Sequence, residues 1–184
     1  FLVNYIYKYM TSRNIYIFVF NFSLLISNPI PITDFTLDNG LHVIIAEKHS
    51  SPVATTNLWY DVGSHDEWDG IRGTAHFFEH MMFKGSKRFP TDMHEKIIEN
   101  LGGEENAWTS DDHTVYYNKV PSEHIGIALE LEADRMRNLI INQDVIDTER
   151  QVVKEEFRER NSDPISKEYY RFRKIAYPKG HPYY

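Results

Sequence analysis

The sequence has no cysteine among its 184 residues. This absence excludes disulfides and any metal site built from thiolates, but it says nothing firm about the redox compartment. A metal site in this chain would therefore draw its protein ligands from histidine, aspartate and glutamate.

Long hydrophobic runs are also missing. The longest mostly apolar stretch covers residues 15–26 and is preceded by Arg13. It is short for a membrane span but suits the apolar core of a secretory signal peptide, so we expect no stable membrane span. Residues 1–31 are interpreted as a signal-peptide-like or spurious extension and spacer, and residues 32–184 as the folded domain. If the run is a signal peptide, the protein is exported to the periplasm or secreted; otherwise its compartment is undetermined.

Positive charge is in deficit, with 20 lysines and arginines against 27 acidic residues and a net charge of −7. This balance argues against nucleic acid as the main partner. Hydrophobic residues make up 41% and aromatics 14% of the chain, which is typical of a globular protein. Its length of 184 residues is enough for one domain with a sizeable core.

The most informative stretch is residues 73–83, which predicts a helix that follows Gly73 and ends before Gly85. His76 and His80 are separated by about 40° around such a helix, so their rings can meet one ion. Glu79 lies within the same arc of about 100°. A His-x-x-Glu-His pattern arises by chance in roughly one such chain in thirty, so an ordinary surface helix remains the alternative.

A hydrolytic zinc site needs a third protein ligand and an open position for water. Residues 144–157 predict a helix on which Glu149 and Glu156 fall in the middle of an apolar arc, whereas Glu155 falls on the polar side. The arc is formed by Val145, Ile146, Val152, Val153 and Phe157. Because buried carboxylates cost several kcal/mol unless they are paired or coordinated, we predict Glu156 as the third ligand. Glu149 would orient a histidine or that ligand. The alternative is a buried salt bridge to an arginine.

The segment GTAHFFEHMMFKGS resembles the inverted zinc motif of the pitrilysin family, the inverzincins. In that family the third ligand is a glutamate about seventy-five residues after the second histidine, and Glu156 stands 76 residues after His80. Glu149 matches a further family glutamate seven residues before the ligand. Residues 102–109 resemble the family segment Gly-Gly-x-x-Asn-Ala-x-Thr. The similarity runs from about Phe35 to Tyr184, and the block of residues 149–160, ERQVVKEEFRER, closely resembles the bacterial, processing-peptidase-like branch.

The resemblance implies a zinc-dependent endopeptidase that hydrolyses peptides or unfolded protein segments, with one Zn²⁺ per domain. It supports His76, His80 and Glu156 as metal ligands, and Glu79 and Glu149 as catalytic residues. Residues 32–184 would then be a truncated N-terminal domain of such an enzyme.

Binding partners are also implied. In the family, the strand that contains Asn106 and Ala107 is an open edge that pairs with the substrate backbone; without the resemblance it could equally be an inner strand. The relatives need a second homologous domain or subunit. The alternative function is therefore a non-catalytic subunit that binds zinc and peptide, or serves in assembly, and needs a partner domain.

Element order predicts an α+β fold, a two-layer sandwich of a mixed, mostly antiparallel sheet with helices packed on one face. Predicted strands are a hairpin over Ile32–Lys48 around an Asn-Gly turn, Val53–Val62, Asn106–Ser110 and His113–Val120. Other predicted helices are Met93–Leu101 with an Asp92/Glu95 capping box, Ser122–Leu139 and Ile165–Ala176; the Glu149/Glu156 helix begins at an Asn142 or Asp144 cap and ends by Asn161–Pro164.

Several other polar side chains are predicted to be solvated or of no special role. They are His65, Asp66, His94, Glu130, Glu132, Asp134, Arg171, Arg173 and Lys174. His113 could approach the metal but is ranked below Glu156.

Overall fold

The computed structural model describes residues 29–184. The predicted signal-peptide-like run at 15–26 lies outside these residues. The described residues divide into two compact units, one that ends at Lys48 and one that covers His49–Tyr184. No helix of the described part combines the length and apolar character that a bilayer crossing requires.

The described part of the first unit is a β-hairpin. Strands β1 (Ile32–Thr36) and β2 (His42–Ala46) pair antiparallel, with Ile32 opposite Ala46. Gly40 has a φ of 88°, a conformation that glycine adopts readily. The Asn-Gly turn was therefore predicted correctly.

The second unit contains a three-stranded antiparallel sheet. Its strands are β3 (Val53–Tyr60), β4 (Glu104–Thr109) and β5 (Thr114–Pro121), in the order β3-β5-β4. Every pairing of the described strands is antiparallel. Within the described residues β4 pairs only with β5, so its other side is an open edge, as expected.

One face of this sheet carries the helices. Inward positions along β5 hold Tyr116 and Asn118, whereas Trp59 and Trp108 lie on the opposite face and are 59% and 43% exposed. Helices α1 (Thr74–Met81), α2 (Met93–Asn100) and α3 (Ile125–Asn138) pack on the inward face. The α+β class with helices on one face is therefore confirmed.

The apolar core lies between α2, α3 and the central strand. Ile98, Val120, Ala128 and Leu131 are at most 1% exposed, and Phe89 packs partly against them. This core fixes the sheet against two helices and leaves α1 beside the edge strand.

Two long helices complete the unit, α4 (Gln143–Ser162) and α5 (Pro164–Ala176). The side chain of Asn142 caps α4 by accepting a hydrogen bond from the amide of Val145 at 2.9 Å. Asp163 ends α4 and caps α5 by accepting from the amide of Ser166 at 2.8 Å. α4 packs against α1.

The prediction that Glu132, Asp134 and His94 are solvated was wrong, since they are only 5–8% exposed. Arg135 donates to Glu132 through Nε at 2.8 Å, and His94 Nε2 lies 3.0 Å from the Asn118 side-chain oxygen. Glu132 is thus paired within α3 and His94 with β5, and a helical wheel does not show a contact with another element.

Two smaller predictions also fail. Asp92 begins α2 as expected, but its φ is 65° and its side chain makes no capping bond, so the capping box is absent. Arg173 is not solvated: its side chain is 15% exposed and its Nη1 lies 2.9 Å from Asp111 Oδ1.

Candidate metal centre

Helix α1 is held at its N-terminus by a carboxylate. Glu67 accepts hydrogen bonds from the backbone amides of Gly73 and Ala75, at 2.6 and 2.7 Å. Gly73 itself has a φ of 89°, which favours glycine at this position. The negative charge of Glu67 suits the positive end of the helix dipole.

The two histidines of α1 meet on one face. The Nε2 atoms of His76 and His80 are 3.2 Å apart, and the rings cross at 85° with centroids 4.7 Å apart. Both side chains are mostly buried, with 24% and 17% exposed. The predicted geometry of the pair is therefore present.

Helix α4 brings a carboxylate to the same point. Glu156 Oε2 lies 3.5 Å from His76 Nε2 and 3.4 Å from His80 Nε2. Within residues 29–184 these three side chains form the only group of three or more histidine, aspartate or glutamate residues placed to hold one metal ion.

The separations of these atoms fit a tetrahedral ion. Ligand atoms about 2.0–2.1 Å from such an ion lie about 3.3–3.4 Å apart, because the edge of a tetrahedron is about 1.6 times its centre-to-corner distance. The three observed separations are 3.2, 3.5 and 3.4 Å. Three protein donors leave the fourth corner open, as in hydrolytic zinc sites.

Glu149 contacts the ring nitrogen of His80 that faces away from His76 and Glu156. Its Oε1 lies 2.8 Å from His80 Nδ1 and its Oε2 lies 2.8 Å from Lys84 Nζ, and the residue is only 4% exposed. With the proton of His80 on Nδ1 and donated to Glu149, the Nε2 lone pair faces the other two donor atoms. The cationic partner of this buried acid is thus a lysine, not the arginine considered as an alternative.

Glu79 lies beside the cluster. The hydroxyl of Thr109 on β4 donates a hydrogen bond to Glu79 Oε2. Glu79 and His80 also line a cavity of about 350 Å³ together with Phe83, Lys84, Glu95, Glu105, Asn106 and Glu149. A carboxylate next to an open coordination position can exchange protons with a bound water.

Comparison with known proteins identifies the family of this chain. The sequence profile of the family described as insulinase, peptidase family M16, matches residues 42–179. The chain belongs to this family.

Three relatives illustrate the family. The chain is 39% identical over 151 residues to the zinc protease PqqE of Helicobacter pylori, covering 81% of this chain and 34% of the relative. It is 42% identical over 124 residues to a probable β subunit of the mitochondrial-processing peptidase of Arabidopsis thaliana, covering 67% of this chain and 23% of the relative. It is 38% identical over 126 residues to subunit 1 of the bovine cytochrome b-c1 complex, covering 68% of this chain and 26% of the relative.

A solved structure has the same fold. The crystal structure of a protease from Helicobacter pylori superposes with a TM-score of 0.80 at 38% identity, covering 84% of this chain and 37% of that one. The chain therefore spans only about a quarter to about a third of the length of the relatives it matches.

The position of Glu156 differs from expectation in one respect. Glu149 is buried as predicted, but the Glu156 side chain is 41% exposed. The apolar face of α4 is only partly covered: Val152 is 43% and Phe157 61% exposed, whereas Val145, Ile146 and Val153 are half-buried. The buried-face argument was thus right for Glu149 and wrong for Glu156, although Glu156 reaches the histidines. Glu155 points away and pairs with Arg158 at 2.8 Å.

On the edge strand, Asn106 lines the cavity and Ala107 is the next residue along the strand. The side-chain oxygen of Asn106 accepts a hydrogen bond from the amide of Ala107 at 2.8 Å. Asn106 is exposed and Ala107 is half-buried.

The other histidines considered do not join the cluster. His65 Nδ1 lies 2.9 Å from the carbonyl of Asp111, His94 contacts Asn118, and the His113 ring crosses the Trp59 ring at 5.6 Å. Sequence reasoning missed Lys84 and Thr109, which contact Glu149 and Glu79, because the sequence pattern does not show these distant pairings. It also missed Glu67, which accepts from the amides at the start of α1.

The pKa values of His76 and His65 are shifted in opposite directions. Burial lowers the pKa of His76 below its usual 6.5, and the neighbouring His80 lowers it further. The carbonyl of Asp111 raises the pKa of His65 above 6.5.

We expect an NMR titration of the metal-free protein to give His76 a midpoint below 6.5 and His65 a midpoint above 6.5. His76 takes up a proton more readily in the unfolded chain than in the folded protein. The contribution of His76 to the free energy of unfolding is therefore at its maximum above pH 6.5. It is lost as the pH falls towards the lowered folded pKa. Equal midpoints for the two rings would contradict this description of the site.

Proposed function

We propose that the chain is the zinc-binding, catalytic domain of an endopeptidase that hydrolyses peptide bonds in peptides or unfolded segments. The observation that carries this proposal is the meeting of His76 Nε2, His80 Nε2 and Glu156 Oε2 at the separations of a tetrahedral site. Membership of a peptidase family supports the reaction class.

The three residues His76, His80 and Glu156 would hold the ion. A zinc ion held there would supply Lewis acidity, which polarises a carbonyl and lowers the pKa of water so that hydroxide is available near neutral pH.

Glu79 is the general base in this proposal. The Thr109 hydroxyl occupies its Oε2, which fixes the carboxylate and leaves Oε1 free to accept a proton from the attacking water. The same group then returns the proton to the leaving amine. Glu149 acts through His80, whose ring it holds in the tautomer and orientation that point Nε2 at the site.

Asn106 and Ala107 are proposed to bind the substrate backbone. β4 offers an open edge beside Glu79, and an extended peptide can add to such an edge as a further strand. To do so, the Ala107 amide would stop donating to the Asn106 side-chain oxygen and would donate to the peptide instead.

A second candidate function is a non-catalytic zinc- and peptide-binding or assembly subunit that needs a homologous partner. One relative is named as a subunit of the cytochrome b-c1 complex and another as a subunit of a processing peptidase. The chain matches only a fraction of each, so activity of the isolated chain is itself part of the proposal. Relatives are mitochondrial or bacterial by name and organism, and export of this chain stays a prediction.

Replacing Glu79 with Gln should leave zinc bound and lower kcat by about 10²–10⁴-fold, because the amide cannot accept the proton from water. The measurement is cleavage of an unstructured fluorogenic peptide, with zinc content determined in parallel. A Glu79→Gln protein that cleaves at the wild-type rate would refute the role of Glu79. A wild-type chain that binds zinc and peptide without cleaving would favour the second candidate.

Zinc titration of two neighbouring substitutions tests the ligand set. Glu156→Gln should weaken zinc binding at least about 100-fold, since losing a direct ligand costs more than losing an outer partner. Glu155→Gln is the matched control, since it is one residue away, 72% exposed and paired with Arg158. If only Glu155→Gln loses the metal, the assignment of Glu156 is wrong.

A further inference from the structure

We propose that Lys84 is a positioning residue for the metal centre, acting through Glu149 to hold His80. This inference rests on the proposed function, because it concerns how the same ligands are kept in place. Lys84 does not contact the three donor atoms in the structure; its ammonium lies 2.8 Å from Glu149 Oε2, and Glu149 Oε1 lies 2.8 Å from His80 Nδ1.

The burial of the two partners is unequal. The side chain of Glu149 is 5% exposed and that of Lys84 is 30% exposed. A buried carboxylate with only a neutral imidazole beside it keeps an uncompensated charge, which favours rotation of the side chain towards water. Lys84 supplies the opposite charge and occupies the second oxygen, so that the first stays directed at His80.

The backbone around Lys84 is fixed, which makes its reach specific. Its amide donates to the carbonyl of Met81 at 3.0 Å, and its carbonyl accepts from the Thr91 hydroxyl at 2.8 Å. The next residue, Gly85, has a φ of 103°, and a Cβ placed there would stand 2.5 Å from the Thr91 amide nitrogen. The turn after α1 therefore delivers the lysine to Glu149 from one defined position.

Lys84 also has an opposing effect. Its positive charge repels a divalent cation in the neighbouring cluster, so its removal would tighten zinc binding if repulsion were its only influence. The proposal requires the loss of Glu149 orientation to outweigh this repulsion. A double-mutant cycle separates the two effects, since orientation requires a charged Glu149 and repulsion does not.

The experiment measures the affinity of the 184-residue protein for Zn²⁺ by competition with a chromophoric chelator. Lys84→Met should weaken zinc binding about 3–30-fold, and Lys84→Arg should restore most of it. In a Glu149→Gln background, Lys84→Met should leave the affinity unchanged or tighten it. Lys87→Met is the matched control, because Lys87 is an exposed lysine on the same turn, and it should leave the affinity unchanged.

Circular dichroism and the thermal midpoint of each metal-free variant show whether it is folded. Folded Lys84→Met protein that binds zinc as tightly as wild type, or that weakens binding equally with and without Glu149, would overturn the inference while leaving the proposed function standing. If the wild-type protein binds no zinc, the proposed function fails and this inference fails with it.

Discussion

Burial of the Glu149 carboxylate is the constraint on which the arrangement of the candidate site depends. An uncompensated charge at a position only 4% exposed would cost several kcal/mol. His80 in α1 and Lys84 in the turn after it take one oxygen each. This contact joins α4 to α1. Because seven residues are close to two helical turns, Glu156 then lies on the same side of α4, about 10 Å further along, where it meets both imidazoles.

Helix α1 serves two surroundings at once. One face carries His76, Glu79 and His80 towards α4 and the edge strand. The opposite face, with Ala75, Phe78 and Met82, lines a largely apolar cavity of about 350 Å³ against the sheet. Support from α4, β4 and the Glu67 cap restricts α1 at several points, which is what a site needs if its donor atoms are to stay within tenths of an ångström.

The parts of this site that follow from local periodicity were predictable. Spacing of four residues on one helix fixes the His76–His80 geometry, and the wheel of α4 places Glu149 and Glu156 on one face. The class of fold followed from the order of strands and helices, and the hairpin from its Asn-Gly turn.

The exposure of Glu156 was not predictable, because whether an apolar helix face is covered depends on what packs against it. The burial of His94, Glu132 and Asp134 was not predictable either, since Asn118 on β5 and Ser86 in the turn after α1, which contact them, are distant in sequence. The lysine on Glu149 belongs to the same class, being 65 residues away.

The central claim is that one ion is held jointly by α1 and α4. The most direct test is a crystal structure of the protein grown with Zn²⁺, with diffraction data collected at the zinc absorption edge. The account predicts a single strong anomalous peak about 2.0–2.2 Å from His76 Nε2, His80 Nε2 and a Glu156 oxygen. A peak centred on Glu149 or on the Glu95 and Glu105 side of the cavity, with Glu156 turned away, would contradict it.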